Sequence, residues 1–286
     1  MKTSSGEIRA LITLLGDDDL SIRDVARERL LQFGSDAEEF LKEATGADLE
    51  GKVRIEARHV LQKIRLDDLI ASFSLLGLLD DEQIDLEHAA FLVARIGYPD
   101  VDVVEYQQEL DELADRIRYE IRQFNLERNG RQIVQRVNRV LFGEEGFCGN
   151  SAEYYDPDNS YLNRVLERRT GIPVSLSLIY LLISRRLGLP IRGINMPVHF
   201  ICQYLTPHES FFIDPYNDGR IITRAECMML VRGSGHSFHE SFLQPARPKR
   251  IIGRMVRNLI LIYYQREDTA KAILLDRILK MLRIPE

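Results

Sequence analysis

The sequence predicts an α+β fold, predominantly helical, with a small antiparallel sheet flanked by helical hairpins. Three observations predict it. Apolar residues recur at helical spacing over most of 1–142 and again over 255–282. Between these zones, 191–214 changes to short runs rich in β-branched and aromatic residues, bounded by Pro, Gly and Asn. The helix that opens near Ser175 has almost no polar face, so it must be buried all round.

Composition sets the outer limits. A chain of 286 residues forms one or two packed domains. With 45% hydrophobic and 29% charged residues it reads as an ordinary soluble globular protein. No run of about 18 uncharged apolar residues is present, so no membrane span is expected. No apolar signal region follows Met1 to Gly6. A net charge of -6 argues against a nucleic-acid footprint. The pairs Arg168-Arg169 and Arg185-Arg186 fall near predicted helix ends, where the helix dipole favours them. Three cysteines, Cys148, Cys202 and Cys227, match no zinc or disulfide spacing, and a reducing cytoplasm is the simplest inference.

Along the chain, 1–66 carries a repeated stripe. Ile22, Ala26 and Leu30 recur as Val53, Ala57 and Leu61, apolar at i, i+4 and i+8, with Gly34, Gly46 and Gly51 at the breaks. Two such copies resemble HEAT-type hairpins, or else an unrelated helical bundle, and are too few for a free-standing solenoid. They would dock on the rest of the chain or on a protein partner. Leu86, Ala89, Ala90, Leu92, Val93 and Ile96 form the next stripe, Tyr106 to Ile117 another, and a helix is expected over 131–142. A Gly-, Asn- and Asp-rich loop over 143–159 leads to a helix over 160–168, with Asp158 or Asn159 as its cap. Strands are expected at 191–195, 199–205 and 210–214, the last two forming a hairpin around 206–209. Two helices close the chain, with Asn258, Leu259, Ile262, Tyr263, Ala272, Leu279 and Pro285 at positions that fit a tetratricopeptide hairpin or an ordinary terminal hairpin. The domain reading is 1–66, 67–246 and 247–286.

Three residues stand in an order that carries chemistry: Ser175 at a helix start, His199 at the start of a strand and Asp214 at the end of the next. A nucleophile at a helix N-terminus is activated by the dipole, a His takes its proton, and an Asp fixes the His tautomer. Ser175 would depend wholly on His199, because a hydroxyl is not appreciably ionised at neutral pH. The plain alternative makes Ser175 a helix cap. Cys148 also precedes His199 and Asp214, but it sits in a loop before a different helix. Cys202 is three residues from His199 and points to the other strand face, and Cys227 reads as core. His236 and His239 have no ligand set around them. No metal and no cofactor is expected.

This helix–His–Asp order resembles the core of the transglutaminase-like, papain-type thiol enzymes. Leu86 to Arg118, Gly149-Asn150, Tyr154-Tyr155-Asp156-Pro157, Asn159 to Asn163, Val165 to Leu176, His199-Phe200 and Asp214-Pro215 carry a closer resemblance, to the bacterial SirB-type transglutaminase-like proteins. The resemblance covers 66–286 and implies a papain-like core between helical elements. Alignment on Gly188-Leu189-Pro190 puts Pro173 where thiol members have their cysteine, and Val198 stands where Gly is expected before the His. By motif, Asn159, Asn163, Ser175, His199 and Asp214 are the residues of interest: Ser175, His199 and Asp214 for catalysis, Asn159 and Asn163 for binding. Without the thiol, the function implied is a non-catalytic interaction or regulatory scaffold. The alternative is a hydrolase or acyltransferase acting on amide or ester bonds through Ser175, His199 and Asp214.

Overall fold

The computed structural model describes residues 5–46, 49–124, 126 and 129–284. Pro285, one of the positions matched to a terminal hairpin, lies outside the described residues. The chain divides into two compact units between Phe73 and Ser74. The division falls inside a 28-residue helix, α4 (Gly51–Leu78), seven residues after the boundary read at 66. Residues 247–284 fall within the larger unit.

In the smaller unit α1 (Ser5–Leu14), α2 (Leu20–Phe33) and α3 (Glu38–Ala44) pack with the first turns of α4. Asp19 caps α2 through a 2.8 Å bond from the Ser21 N–H. Ala26 and Leu30 of the predicted stripe are buried with Val53, Ala57 and Leu61, together with Ile8, Ile12 and Leu41. Ile22 departs from the pattern at 38% exposed, because it lies in the first turn, ahead of the packed face.

The larger unit is built around α9 (Pro173–Leu187), which is buried from Pro173 to Ser184 as its apolar sequence requires. The helices α5 (Leu86–Gly97), α6 (Val103–Gln123) and α7 (Gly130–Asn138) precede it, with one π-helical turn over Arg139–Glu144 where a straight continuation of α7 was predicted. Asp85 and Asp102 cap α5 and α6. Arg186, read as a helix-dipole residue, does more. Its guanidinium holds Glu87 of α5 and Asp111 of α6, each at 2.5 Å, tying both helices to the end of α9.

Beyond α9 the chain forms a four-stranded antiparallel sheet in sequence order: β3 (Ile191–Asn195), β4 (Phe200–Leu205), β5 (Ser210–Asp214) and β6 (Arg220–Ile222). Three of these strands match the predicted runs, and β6 is an addition. Alternate residues of β4 face opposite layers. Cys202 lies against Ser177 of α9, while Ile201 joins Ile194, Phe212, Ile222, Cys227 and Val231, the last two from α10 (Arg224–Gly233). A two-stranded parallel pair, β1 (Cys148–Gly149) with β2 (Thr170–Gly171), pins the Gly-rich loop beside the start of α9. The short helix α8 (Leu162–Arg168) lies between them. Its N-cap position is Tyr161, so neither Asp158 nor Asn159 caps it. Asp156 instead caps a 3-10 turn at Pro157–Asn159.

The terminal hairpin is α11 (Pro248–Gln265) with α12 (Thr269–Met281). Pro248 opens α11 at its first position, earlier than the apolar stripe alone indicated. Leu259, Ile262, Tyr263 and Ala272 are buried as predicted, whereas Leu275 and Ile278 take the inner face in place of Leu279. No helix among the described residues is long and apolar enough to cross a membrane.

Candidate functional site

His199 is positioned by a tight connection between β3 and β4. Asn195 pairs with Phe200, so Met196, Pro197, Val198 and His199 form the whole turn. Val198 sits at φ +65° and is 56% exposed. A β-branched residue is strained there and Gly is not. The absent Gly therefore bears on backbone conformation, since the Val198 side chain points largely to solvent and not into space beside the imidazole.

His199 and Asp214 are brought together: Nε2 lies 2.9 Å from Asp214 Oδ2. Asn217, three residues on in the turn after β5, donates to the same oxygen at 2.8 Å. The Asp214 carboxylate is buried, which alone would push its pKa up. The His199 hydrogen bond and charge and the Asn217 hydrogen bond outweigh burial, and its pKa lies below the ordinary value. The Tyr216 N–H adds a weaker pull, while Oδ1 has no partner of hydrogen-bond geometry. With Nε2 committed, Nδ1 has no partner among the described residues, and the imidazole side chain is 15% exposed. This leaves one ring nitrogen open toward solvent, held by a carboxylate on the other side.

Ser175 is placed differently. It is the third residue of α9, with Ile172 at the N-cap and Pro173 first. It is 0% exposed. Its Oγ accepts the Ile172 N–H at 3.0 Å and donates to the Asn159 main-chain oxygen at 2.6 Å, with the Ile172 oxygen at 3.1 Å. The hydroxyl thus closes the first turn and staples the preceding loop to it. None of its hydrogen bonds involves His199. Pro173, at the position matched to the missing thiol, is buried and has no N–H to offer.

Asn159 is also an inward-facing structural residue. Its amide donates to Glu153 O at 2.7 Å and Tyr154 O at 3.3 Å, and its Oδ1 accepts from Asn150 at 3.1 Å. Asn163 is buried on α8 with its Oδ1 unpartnered. Cys148 stands exposed on β1 and its thiol has no hydrogen-bond partner among the described residues. Cys202 and Cys227 are buried, and burial pushes the Cys227 thiol up to about 12 and raises Cys202 further, so neither is a thiolate at neutral pH. Among the described residues no three His, Cys, Asp or Glu side chains stand close enough to hold a metal.

Around the dyad are residues the sequence reading gave no role. The Tyr216 ring packs edge-on to His199 at 6.1 Å between centroids and to Tyr154 at 6.4 Å. Gly149 makes room for it, since a Cβ there would lie 2.7 Å from both the ring and the backbone of Tyr216. Arg254 of α11 reaches the His199 turn, with Nη1 3.3 Å from both Asn195 Oδ1 and Met196 O. Asn217 was within reach of sequence reasoning as the amide three residues past Asp214; Arg254 carried no local signal.

Against this geometry, a family model described as transglutaminase-like superfamily matches residues 104–257. The UPF0162 protein of Xylella fastidiosa (strain Temecula1) is 35% identical over 223 residues, covering 75% of this chain and 78% of that protein. The UPF0162 protein of Pseudomonas aeruginosa is 30% identical over 189 residues, covering 64% of this chain and 67% of that protein. F-box only protein 21 of Homo sapiens is 35% identical over 137 residues, covering 45% of this chain and 21% of that protein. No solved structure matches the chain.

Proposed function

The chain belongs to the transglutaminase-like superfamily, among the UPF0162 proteins, and from that premise we propose that it is a SirB-type member acting as a non-catalytic interaction or regulatory scaffold in the cytoplasm. One observation carries the reading. The candidate hydroxyl at the helix start, that of Ser175, is fully buried and spends its proton and a lone pair on Asn159 and Ile172. A nucleophile must present a free lone pair to substrate and a proton to its base. Ser175 would have to break two buried hydrogen bonds to do either. The helical hairpins at both ends, HEAT-like in 1–66 and tetratricopeptide-like in 247–286, supply the surfaces for a protein partner. The recurrence of a similar segment within the longer F-box only protein 21 supports reading this core as a portable module.

The test is a screen for amide and ester hydrolysis and acyl transfer with the whole chain, alongside Ser175→Ala and His199→Ala. The expected result is no turnover above that of the two variants. Turnover lost in both variants would overturn the scaffold reading.

One observation favours the second reading, a hydrolase or acyltransferase using Ser175, His199 and Asp214: the dyad is intact and Nδ1 is open. A pair kept in this form has the parts of a general base. The same screen decides it, because a Ser175 mechanism requires both variants to be inactive.

A further inference from the structure

Several arginines of the larger unit are matched by acids. Arg164 pairs with Asp158, Arg168 with Asp156, Arg169 with Glu109 and Glu145, and Arg186 with Glu87 and Asp111. Arg254 is different. It is partly buried, and among the described residues no carboxylate lies within ion-pairing distance of it. Asp214 is engaged with His199. Burial and the neighbouring charge of Arg257 both oppose the cation, and its pKa is lowered as a result. An arginine held in this way without a counter-charge is costly unless something supplies one.

The geometry says where the counter-charge would sit. Only Nη1 is used, in two long bonds of 3.3 Å to Asn195 Oδ1 and Met196 O. The Nε–Nη2 edge, the side that takes a carboxylate or phosphate with two parallel hydrogen bonds, is unpartnered, and neither atom is sealed from solvent. Tyr154 lies close enough for the guanidinium charge to bear on its phenol. Its hydroxyl has no partner among the described residues and is likewise open. Tyr216 packs against both Tyr154 and His199, so these groups belong to one cluster. Three unpartnered polar groups therefore gather here: a guanidinium edge, a phenol and the His199 Nδ1. Tyr154 also lines a groove of about 480 Å³ with Tyr155, Ile262 and Arg266.

We propose that Arg254, Tyr154 and His199 form a binding site for an oxyanion, a carboxylate or phosphate group on a ligand seated beside the His199–Asp214 dyad. Arg254 supplies the charge and the two-toothed edge, Tyr154 a neutral donor, and His199, as the imidazolium with its Nε2–H on Asp214, a third donor at Nδ1. The site goes beyond the scaffold reading and holds whether or not the dyad turns anything over.

The test is a titration of the full chain with inorganic phosphate and, separately, with sodium acetate, at constant ionic strength set with sodium chloride. Binding is read from the ring signals of His199, identified by their loss in His199→Ala. The expected result is a saturable shift, with the stronger of the two anions marking a tetrahedral or a planar ligand. Arg254→Gln weakens binding at least about tenfold, and Arg254→Lys recovers part of it. Tyr154→Phe removes one oxygen and none of the contacts that hold the His199 turn, and weakens binding by a smaller factor. No saturable shift with either anion would overturn the proposal. So would unchanged affinity in Arg254→Gln or, if that variant does not fold, in Tyr154→Phe.

Discussion

The Ser175 hydroxyl donates to the Asn159 main-chain oxygen across 2.6 Å, and both atoms are buried. The same hydroxyl accepts the Ile172 N–H. Ser175→Ala leaves a carbonyl and an amide without partners at the heart of the larger unit. Each orphaned buried group costs about 1–3 kcal/mol, so Ser175→Ala is expected to lose roughly 2 kcal/mol or more of unfolding free energy. The urea midpoint of the purified protein measures it. A midpoint unchanged from wild type would mean that the hydroxyl is not a structural staple.

Asn159 extends the same staple into the loop. Its side chain holds Asn150, Glu153 and Tyr154 together through three hydrogen bonds. Asn159→Ala is expected to cost about 2 kcal/mol or more. The loss should be local first: amide hydrogens over 150–156 exchange faster while those of α11 and α12 keep their protection. Uniform loss of protection along the chain would contradict this.

These two residues show why the site was only partly legible in the sequence. Chain order and strand length sufficed to bring His199 and Asp214 together, because a short hairpin at 206–209 leaves their strands few other ways to pair. The near absence of a polar face likewise fixed the buried α9. Ser175 was read from its place at a helix start, as nucleophile or cap, and Asn159 from the family motif, yet neither says whether a polar atom faces a neighbour or solvent. That depends on a contact spanning sixteen residues. Arg254 is harder still. It lies 55 positions from His199, and what marks it is the lack of an acid around it, which no local pattern records.

Asp214 gives a pH dependence with a definite sign. Its folded pKa is lowered, so its stabilising contribution is fully present above the unfolded value of about 3.9 and is lost as pH falls through the folded value. Asp214→Asn cannot titrate. The stability gap between wild type and Asp214→Asn is therefore expected to narrow between about pH 5 and pH 3. Urea unfolding across that window checks it, and a gap of constant size would rule out a lowered pKa.

Val198 offers a gain. At φ +65° a β-branched residue carries strain of roughly 1–2 kcal/mol, which Gly does not, and its exposed side chain contributes little packing. The added freedom of Gly in the unfolded chain offsets about 0.5–1 kcal/mol of this. Val198→Gly is expected to stabilise the protein by about 0.5–1 kcal/mol and to leave the His199–Asp214 contact in place. Loss of stability would mean that the turn is not strained.

Gly77 tests the seating of the terminal hairpin. It lies in the last turn of α4, where a Cβ would stand 1.9 Å from Met281 O and 2.9 Å from Met281 C at the end of α12. Lys249 Nζ fixes the same spot by donating to Gly77 O at 2.9 Å. Two effects compete in Gly77→Ala. Helix propensity favours Ala by about 1 kcal/mol. The clash is with main chain, which cannot rotate aside as a side chain does, and overpacking of this kind costs about 1–3 kcal/mol. The clash should win, so Gly77→Ala is expected to lower the melting temperature and to expose amides of α12 to exchange. If the substitution raised the melting temperature, propensity alone would be acting, and α12 could not be seated against the end of α4 in this way.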